Sequence, residues 1–196
     1  MKIAIVGTAG RGEDAPRMSW ALYRRMVARV ESYLAGIPVE ARELQSGGAA
    51  WADHIAVTLF LAKEKKAQSL TLYLPASLTA HGSFDPSSAA GRTANQYHRQ
   101  FGPHFPHARS GDESMNQIWE AARWAKLHTC AGFLDRNLWV GQCDLLLAFT
   151  FGTGSVPKRG SGTRHTWDHS TAPRKVHFGL DDLLREQHPP LSLFGT

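Results

Sequence analysis

The residues best suited to chemistry in this sequence lie in glycine-rich turns between a predicted strand and a predicted helix. One turn reads SGGAAWAD over residues 46–53, and another reads GSGT over residues 160–163. Glycine lacks a Cβ, so a ligand can approach the backbone closely. The first N–H groups of a helix have no partner within the helix, and the helix dipole adds partial positive charge there. Each turn therefore predicts an anion site suited to a phosphate group.

A third glycine-rich loop, GTAGRG over residues 7–12, follows the first predicted strand. Three such turns in one small domain indicate a ligand of nucleotide size. The residues predicted to bind it are Gly7, Thr8, Ser46, Gly47, Gly48, Arg136, Asn137, Gly160, Ser161, Gly162 and Thr163. The competing interpretation is that the glycines only satisfy tight turns and that Thr163 only caps a helix.

Three charged residues are candidates for catalysis: Asp53, Asp168 and Arg136. Arg136 could clamp a phosphate through two parallel hydrogen bonds, or it could pair with a neighbouring aspartate. Asp53 could contact a ribose hydroxyl or nearby N–H groups, or it could only favour the helix dipole. Asp168 lies on a short predicted helix, where a carboxylate or histidine could protonate a departing base.

Two histidines on the same short helix raise the question of a metal ion. His165 and His169 are four residues apart and share a helix face, a spacing that can hold a metal. Asp168, the nearby third ligand, faces away from that pair. We therefore predict neither a metal site nor a bound cofactor.

Apolar runs predict the strands that position these turns, over residues 2–6, 39–44, 69–74, 144–149 and 175–178. Helices are predicted over residues 15–34, 50–65 and 113–126, and from 162 to about 169. Strands of this kind, separated by helices, are typical of a mostly parallel sheet covered on both faces. The predicted fold class is α/β, a Rossmann-like three-layer domain with a central, mostly parallel sheet. All the glycine turns fall at the carboxyl ends of the strands, where such sheets bind ligands.

The chain is predicted to form a single domain over residues 1–186, followed by an irregular tail over 187–196. A long inserted loop is expected at about 76–112, broken at most by a short helix around 94–101. This loop carries His81, His98, His104 and His107. One interpretation is a solvated loop; the other is a lid whose aromatic side chains stack on a base.

Composition limits the classes of function. The 196 residues are 42% hydrophobic and 20% charged, with a formal net charge of +5. No apolar run approaches the roughly 18–20 residues that a membrane span needs, and no signal peptide is recognised. Two cysteines without metal or disulfide spacing favour a reducing, cytoplasmic location. Nucleic acid is a disfavoured partner, because the basic residues are scattered rather than gathered on one face.

The turns at 46–53 and 160–163, in that order along the chain, resemble those of SLOG, the Rossmann-like superfamily named for the Smf/DprA and lonely-guy proteins. Residues 46–53 are similar to its Ser-Gly-Gly-Ala-x-Gly-Ala-Asp turn, with Trp51 where a glycine is usual. The run DLLLAF over 144–149, followed by GSGT over 160–163, resembles its strand and phosphate turn. Arg136 is similar in placement to the arginine that precedes this strand in lonely-guy enzymes. The resemblance covers roughly residues 1–65 and 130–180.

The resemblance implies binding of a nucleotide or nucleotide-derived molecule, and it suggests a homodimer. Lonely-guy enzymes hydrolyse the N-glycosidic bond of nucleoside 5′-monophosphates, and this is the reaction expected if the protein is an enzyme. Their essential glutamate is replaced here by Thr166. The alternatives are a non-catalytic sensor or sequestering protein for a nucleotide signal, and a single-stranded nucleic-acid binding protein.

Overall fold

The strands form one all-parallel sheet in the computed structural model, which describes residues 1–106, 108, 111–152 and 154–186. The strands are β1 (Lys2–Gly7), β2 (Glu43–Ser46), β3 (Ser69–Leu74), β4 (Lys126–Thr129), β5 (Leu145–Thr150) and β6 (Arg174–Gly179). They lie in the order β4-β3-β2-β1-β5-β6. The helices are α1 (Trp20–Leu34), α2 (His54–Leu61), α3 (Ala89–Phe101), α4 (Glu113–Ala122), α5 (Phe133–Val140), α6 (Gly162–His169) and α7 (Leu180–Arg185).

The strands are added to the sheet first on one side of β1 and then on the other, so the order of strands reverses at β1. From β1 the chain proceeds to β2, β3 and β4 on one side, and then returns to pair β5 with the other side of β1. Every residue of β5 is buried, as its continuous apolar run requires. The carboxyl ends of β1 and β5 therefore flank the crevice where sheets of this class bind ligands.

Helices cover both faces of the sheet, which confirms the predicted three-layer α/β class. The larger core includes buried residues of α1, α2, α3, α4 and α7 against one face. The smaller core on the other face includes Val140 of α5, with Trp167 of α6 packed against it. In the part of the chain that the structure describes, no helix has both the length and the apolar character needed to cross a membrane.

The prediction of a long irregular loop over 76–112 was wrong at its centre. Residues 89–101 form the full helix α3, capped at Ser88, whose hydroxyl accepts the Gly91 N–H at 2.9 Å. The buried positions of α3 are Gly91, Ala94, His98 and Phe101. Their spacing is helical, but two of these four residues are glycine and histidine. The apolar periodicity was therefore hidden.

Other boundaries moved because local pattern and tertiary pairing disagreed. The predicted strand over 39–44 begins only at Glu43, after a short 3₁₀ turn at Val39–Ala41. The helix predicted to 126 ends at Ala122, and residues 126–129, all exposed, form the edge strand β4. Helix α7 was not predicted. The irregular tail over 187–196 and His107 lie outside the described residues.

Candidate functional site

The glycine turns meet at the carboxyl edge of the sheet, where they border two adjoining spaces. The inner pocket, of about 30 Å³, lies between α3, α5 and the turn after β2. The outer cleft, of about 970 Å³, lies beyond β1 and β5. The two spaces share a wall made of Gly7, Ala9, Arg11, Gly162 and Thr163.

A buried ion pair joins Asp53 to Arg136 beside the inner pocket. Their closest charged atoms are 3.8 Å apart, and the side chains are only 4% and 11% exposed. Asp53 also accepts the Gly7 N–H at 3.1 Å, while Arg136 donates to the Gly47 carbonyl oxygen at 3.2 Å. Burial raises the pKa of Asp53, and the Arg136 charge and the backbone N–H groups partly offset that rise. The pair thus fastens the ends of β1 and β2 to α5.

The turn after β2 uses most of its polar groups internally. Ser46 donates its hydroxyl to the Asp53 carbonyl oxygen at 2.7 Å and accepts the Gly48 N–H at 3.0 Å. A Cβ built on Gly47 would lie 2.7 Å from Asp53 Oδ2 and 2.8 Å from Arg136 Cζ. A Cβ at position 47 would therefore force the side chains of the ion pair to shift. Ser46, Gly47 and Gly48 were predicted as ligand-binding residues, and their observed contacts are with other parts of the protein that hold the turn in place.

Trp51 has an unusual backbone conformation in the same turn. Its φ is +60°, which makes it the single non-glycine residue with positive φ in the described chain. The indole is buried, with its centroid 4.4 Å from that of Phe101, and it contacts Gly10 so closely that a Cβ there would clash. Trp51 thereby packs the turn after β2 against both the loop after β1 and helix α3.

The start of α6 offers unsatisfied donors to the shared wall. Ser161 caps the helix by accepting the Arg164 N–H at 3.0 Å. The N–H groups of Gly162 and Thr163 have no acceptor among the described residues. The Thr163 side chain, in a residue only 7% exposed, has no described hydrogen-bond partner either. Both residues line the cleft, and free N–H groups at the start of a helix are an arrangement that binds an anion.

Asn137 and Gly160 support this helix start. Asn137 donates from Nδ2 to the Gly162 carbonyl oxygen at 3.2 Å, and its Oδ1 accepts from Arg136 at 2.8 Å. Gly160 has a φ of +75°, a value that glycine adopts without strain. The predicted residues on β1 and β2, on α5 and on α6 are therefore brought together.

Arg11 is a site residue that the sequence reasoning missed. Its Nη2 lies 3.7 Å from the position that a Cβ on Gly162 would occupy, so it adjoins the positive end of α6. Burial chiefly lowers the pKa of Arg136, and the nearby Arg11 charge lowers it further. Arg11 makes no ion pair with any described residue, although it lies over the Tyr97 ring at 5.5 Å from the centroid. Among the described charged residues that line the two spaces, five are cationic and four are acidic, so positive charge exceeds negative charge by one. The one signal in the sequence was an arginine inside the glycine loop over 7–12.

Thr8 also borders the outer cleft, but its hydroxyl is engaged. It donates to Asp14 Oδ2 at 2.6 Å and accepts the Gly10 N–H at 3.1 Å. Gly7 packs against β5 so tightly that a Cβ would lie 2.3 Å from the Phe149 carbonyl oxygen. Both residues shape the loop after β1, and their backbones form part of the wall.

Helix α3 brings His98 and Tyr97 to the inner pocket. His98 is 1% exposed, its Nε2 donates to the Gly48 carbonyl oxygen at 2.9 Å, and its Nδ1 lies 3.1 Å from Ser114 Oγ. Burial lowers the pKa of His98 to about 4, so the ring is neutral at physiological pH. The solvated interpretation of this segment is wrong for His98, which is a packed part of the site. His81 and His104 are exposed.

Asp168 is not brought to the other candidates. It is exposed, pairs with Arg164 at 2.8 Å and borders neither the inner pocket nor the outer cleft. Hydrogen bonding to Arg164 lowers its pKa. The rings of His165 and His169 stack with their centroids 4.3 Å apart. Across the described residues, no three His, Cys, Asp or Glu side chains are grouped to hold a metal ion.

The fold and the cleft define a Rossmann-like α/β protein with its candidate site at the reversal point of the sheet. No family model matches the chain. The chain is 32% identical over 191 residues to protein R261 of Acanthamoeba polyphaga mimivirus, which is described as uncharacterized. The match covers 94% of this chain and 98% of the viral protein, so the chain belongs to the family of that protein.

Proposed function

We propose that the protein binds a nucleotide or nucleotide-derived molecule at the carboxyl ends of β1 and β5, with a phosphate group at the start of α6. The observation that carries this proposal is the unpartnered donor set of Gly162 and Thr163 beside Arg11. A helix N-terminus with free N–H groups favours an anion, and an uncompensated guanidinium adds to that preference. The resemblance to SLOG turns supports a nucleotide as the source of the anion.

The contacts of the carboxylates favour binding without turnover, as in a sensor or sequestering protein. Asp53 is held by Arg136 and by the Gly7 N–H, and Asp168 is paired at the surface. Neither carboxylate is free to activate a water molecule in the arrangement observed. A sensor would need only the α6 donors, the glycine turns and the cationic side chains.

Thr163→Val is expected to weaken nucleoside monophosphate binding by at least about tenfold, because it removes a hydroxyl that bonds to a charged group while keeping the side-chain shape. Titration calorimetry with AMP, GMP, CMP and UMP measures this. Thr171→Val, at an exposed residue outside both spaces, is the matched control and should leave affinity unchanged. Equal affinity in wild type and Thr163→Val would contradict the proposed phosphate position.

Hydrolysis of the N-glycosidic bond of a nucleoside monophosphate is the second candidate, because Asp53 lines the inner pocket; the reaction would require the pocket to open and Asp53 to leave its ion pair with Arg136. Water would add to the ribose C1′, and the base would leave with a proton to give ribose 5-phosphate. We expect any released base, measured by chromatography, to disappear in Asp53→Asn and to persist in Asp168→Ala. No base release from any of the four monophosphates at high protein concentration would remove this candidate and leave the binding proposal standing.

A further inference from the structure

The outer cleft extends well beyond the donors at the start of α6. Its volume of about 970 Å³ lies at the upper end of the range for small-molecule sites. The inner pocket has only about 30 Å³ and has no room for a nucleoside in the arrangement observed. A nucleotide with its phosphate at Thr163 must therefore place its remaining groups in the outer cleft.

Two further cationic side chains line the outer cleft next to α6. Lys158 and Arg159 are exposed there, and neither makes an ion pair with a described residue. The backbone of Lys158 is fixed to the helix cap, because its carbonyl oxygen accepts the Ser161 hydroxyl at 2.8 Å. The two side chains thus extend from positions a few residues before the unpartnered N–H groups of Gly162 and Thr163.

The described acidic residues lining the same cleft are Glu13, Asp14 and Asp181, against the four cationic residues Arg11, Arg17, Lys158 and Arg159. Asp181 is paired with Arg17 and accepts the Gly152 N–H at 2.8 Å, and Asp14 accepts the Thr8 hydroxyl. Arg17 itself lies over the Phe151 ring, 3.8 Å from its centroid. Arg17 is thus balanced by Asp181, whereas Lys158 and Arg159 have no paired carboxylate among the described residues.

One phosphate group accounts for the α6 donors and Arg11, and it leaves Lys158 and Arg159 without an ion-pair partner among the described residues. Cations placed on one side of an anion site favour a second negative group at that side. A phosphate bonded to the first would lie within reach of these side chains, since both adjoin the helix cap.

We propose that the ligand is a nucleotide with two or more linked phosphates, and that Lys158 and Arg159 bind the phosphate beyond the one at Thr163. This inference rests on the proposed nucleotide-binding function and narrows its ligand class. It sets the protein apart from one selective for monophosphates.

The test is titration calorimetry at constant ionic strength with AMP, ADP and ATP, and with the guanosine, cytidine and uridine series. In the series that binds most tightly, we expect the diphosphate to bind at least about tenfold more tightly than the monophosphate. The double variant Lys158→Gln, Arg159→Gln should reduce that ratio to less than about threefold, with monophosphate affinity changed less than about twofold. The matched control is Lys63→Gln, Lys65→Gln, which removes two exposed charges just after α2, away from both spaces, and should preserve the ratio.

The outcomes separate this inference from the proposed function. Equal binding of mono- and diphosphate overturns the second phosphate site while nucleotide binding stands. A ratio that survives in the Lys158→Gln, Arg159→Gln variant overturns the assignment to these two residues. Absence of binding by every nucleotide at millimolar concentration overturns the proposed function, and the inference falls with it.

Discussion

Replacing Arg136 with methionine is expected to lower the free energy of unfolding by about 3–5 kcal/mol at pH 8. The change leaves Asp53 ionised, buried and without its charged partner, and an uncompensated buried charge costs about this much. Methionine keeps a long side chain beside Gly47, so loss of packing is kept small. Urea unfolding monitored by circular dichroism measures the difference.

The destabilisation should depend on pH in a defined direction. Burial already raises the pKa of Asp53 in the folded protein, and removal of Arg136 removes an influence that lowers it. A carboxyl group with a higher pKa in the folded than in the unfolded protein costs stability when ionised. That cost is complete above the folded-state pKa and shrinks as the pH falls from the folded-state pKa towards the unfolded-state pKa. The stability deficit of Arg136→Met should therefore shrink from pH 8 to pH 5.

A double variant separates charge from packing. Asp53→Asn combined with Arg136→Met removes both charges and should recover most of the lost stability at pH 8, because no buried ion is left unpaired. A deficit that is equal at pH 5 and pH 8, and that the double variant does not relieve, would show that Arg136 acts through packing alone.

At position 51 we expect replacement by glycine to leave a more stable protein than replacement by alanine, which is the reverse of the usual order of stability. Trp51→Ala is expected to lower the free energy of unfolding by about 3–5 kcal/mol, through loss of a buried indole that packs against Phe101. Trp51→Gly removes the same indole but also relieves the backbone strain at φ +60°. We therefore expect the glycine variant to be more stable than the alanine variant by about 1 kcal/mol.

Trp124 provides the control for this order. It is 74% exposed and does not have a positive φ, so Trp124→Ala should change stability by less than about 0.5 kcal/mol. Trp124→Gly should be no more stable than Trp124→Ala, since glycine has no backbone advantage there. If Trp51→Gly proves less stable than Trp51→Ala in urea unfolding, then the left-handed conformation at position 51 carries no strain.

The sequence predicted the features of the fold that depend on short apolar runs. The strands at 2–6, 69–74 and 144–149 were placed within a residue or so, because continuous buried strands leave an unambiguous local pattern. The glycine turns after β1, β2 and β5 were predicted at the carboxyl edge of the sheet, which is where the structure has them. Because the carboxyl ends of parallel strands share one edge of the sheet, the turns could be predicted to lie close together without further information.

The missed features depend on contacts between distant parts of the chain. Nothing local shows that Arg11 adjoins the start of α6, or that Asp53 and Arg136 are paired, because each contact joins separate elements. Only the second half of helix α3 was predicted, around 94–101, because His98 fills a core position while bonded to Gly48, and a histidine carries no apolar signal. The positive φ of Trp51 had one indirect signal in the sequence, since the SLOG turn that residues 46–53 resemble usually has glycine at that position.

The place of β1 in the sheet has a consequence for synthesis on the ribosome. One edge of β1 can pair with β2 soon after both have emerged, but its other edge must wait for β5, about 140 residues later in the chain. At roughly 5–20 residues per second, that wait is about 7–30 s. During this interval the nascent chain presents a strand edge with unpaired backbone N–H and C=O groups, beside the apolar side chains of residues 3–6, and such an edge can lead to misassembly. Chaperone engagement of this protein is therefore expected to end when residues 145–150 leave the exit tunnel.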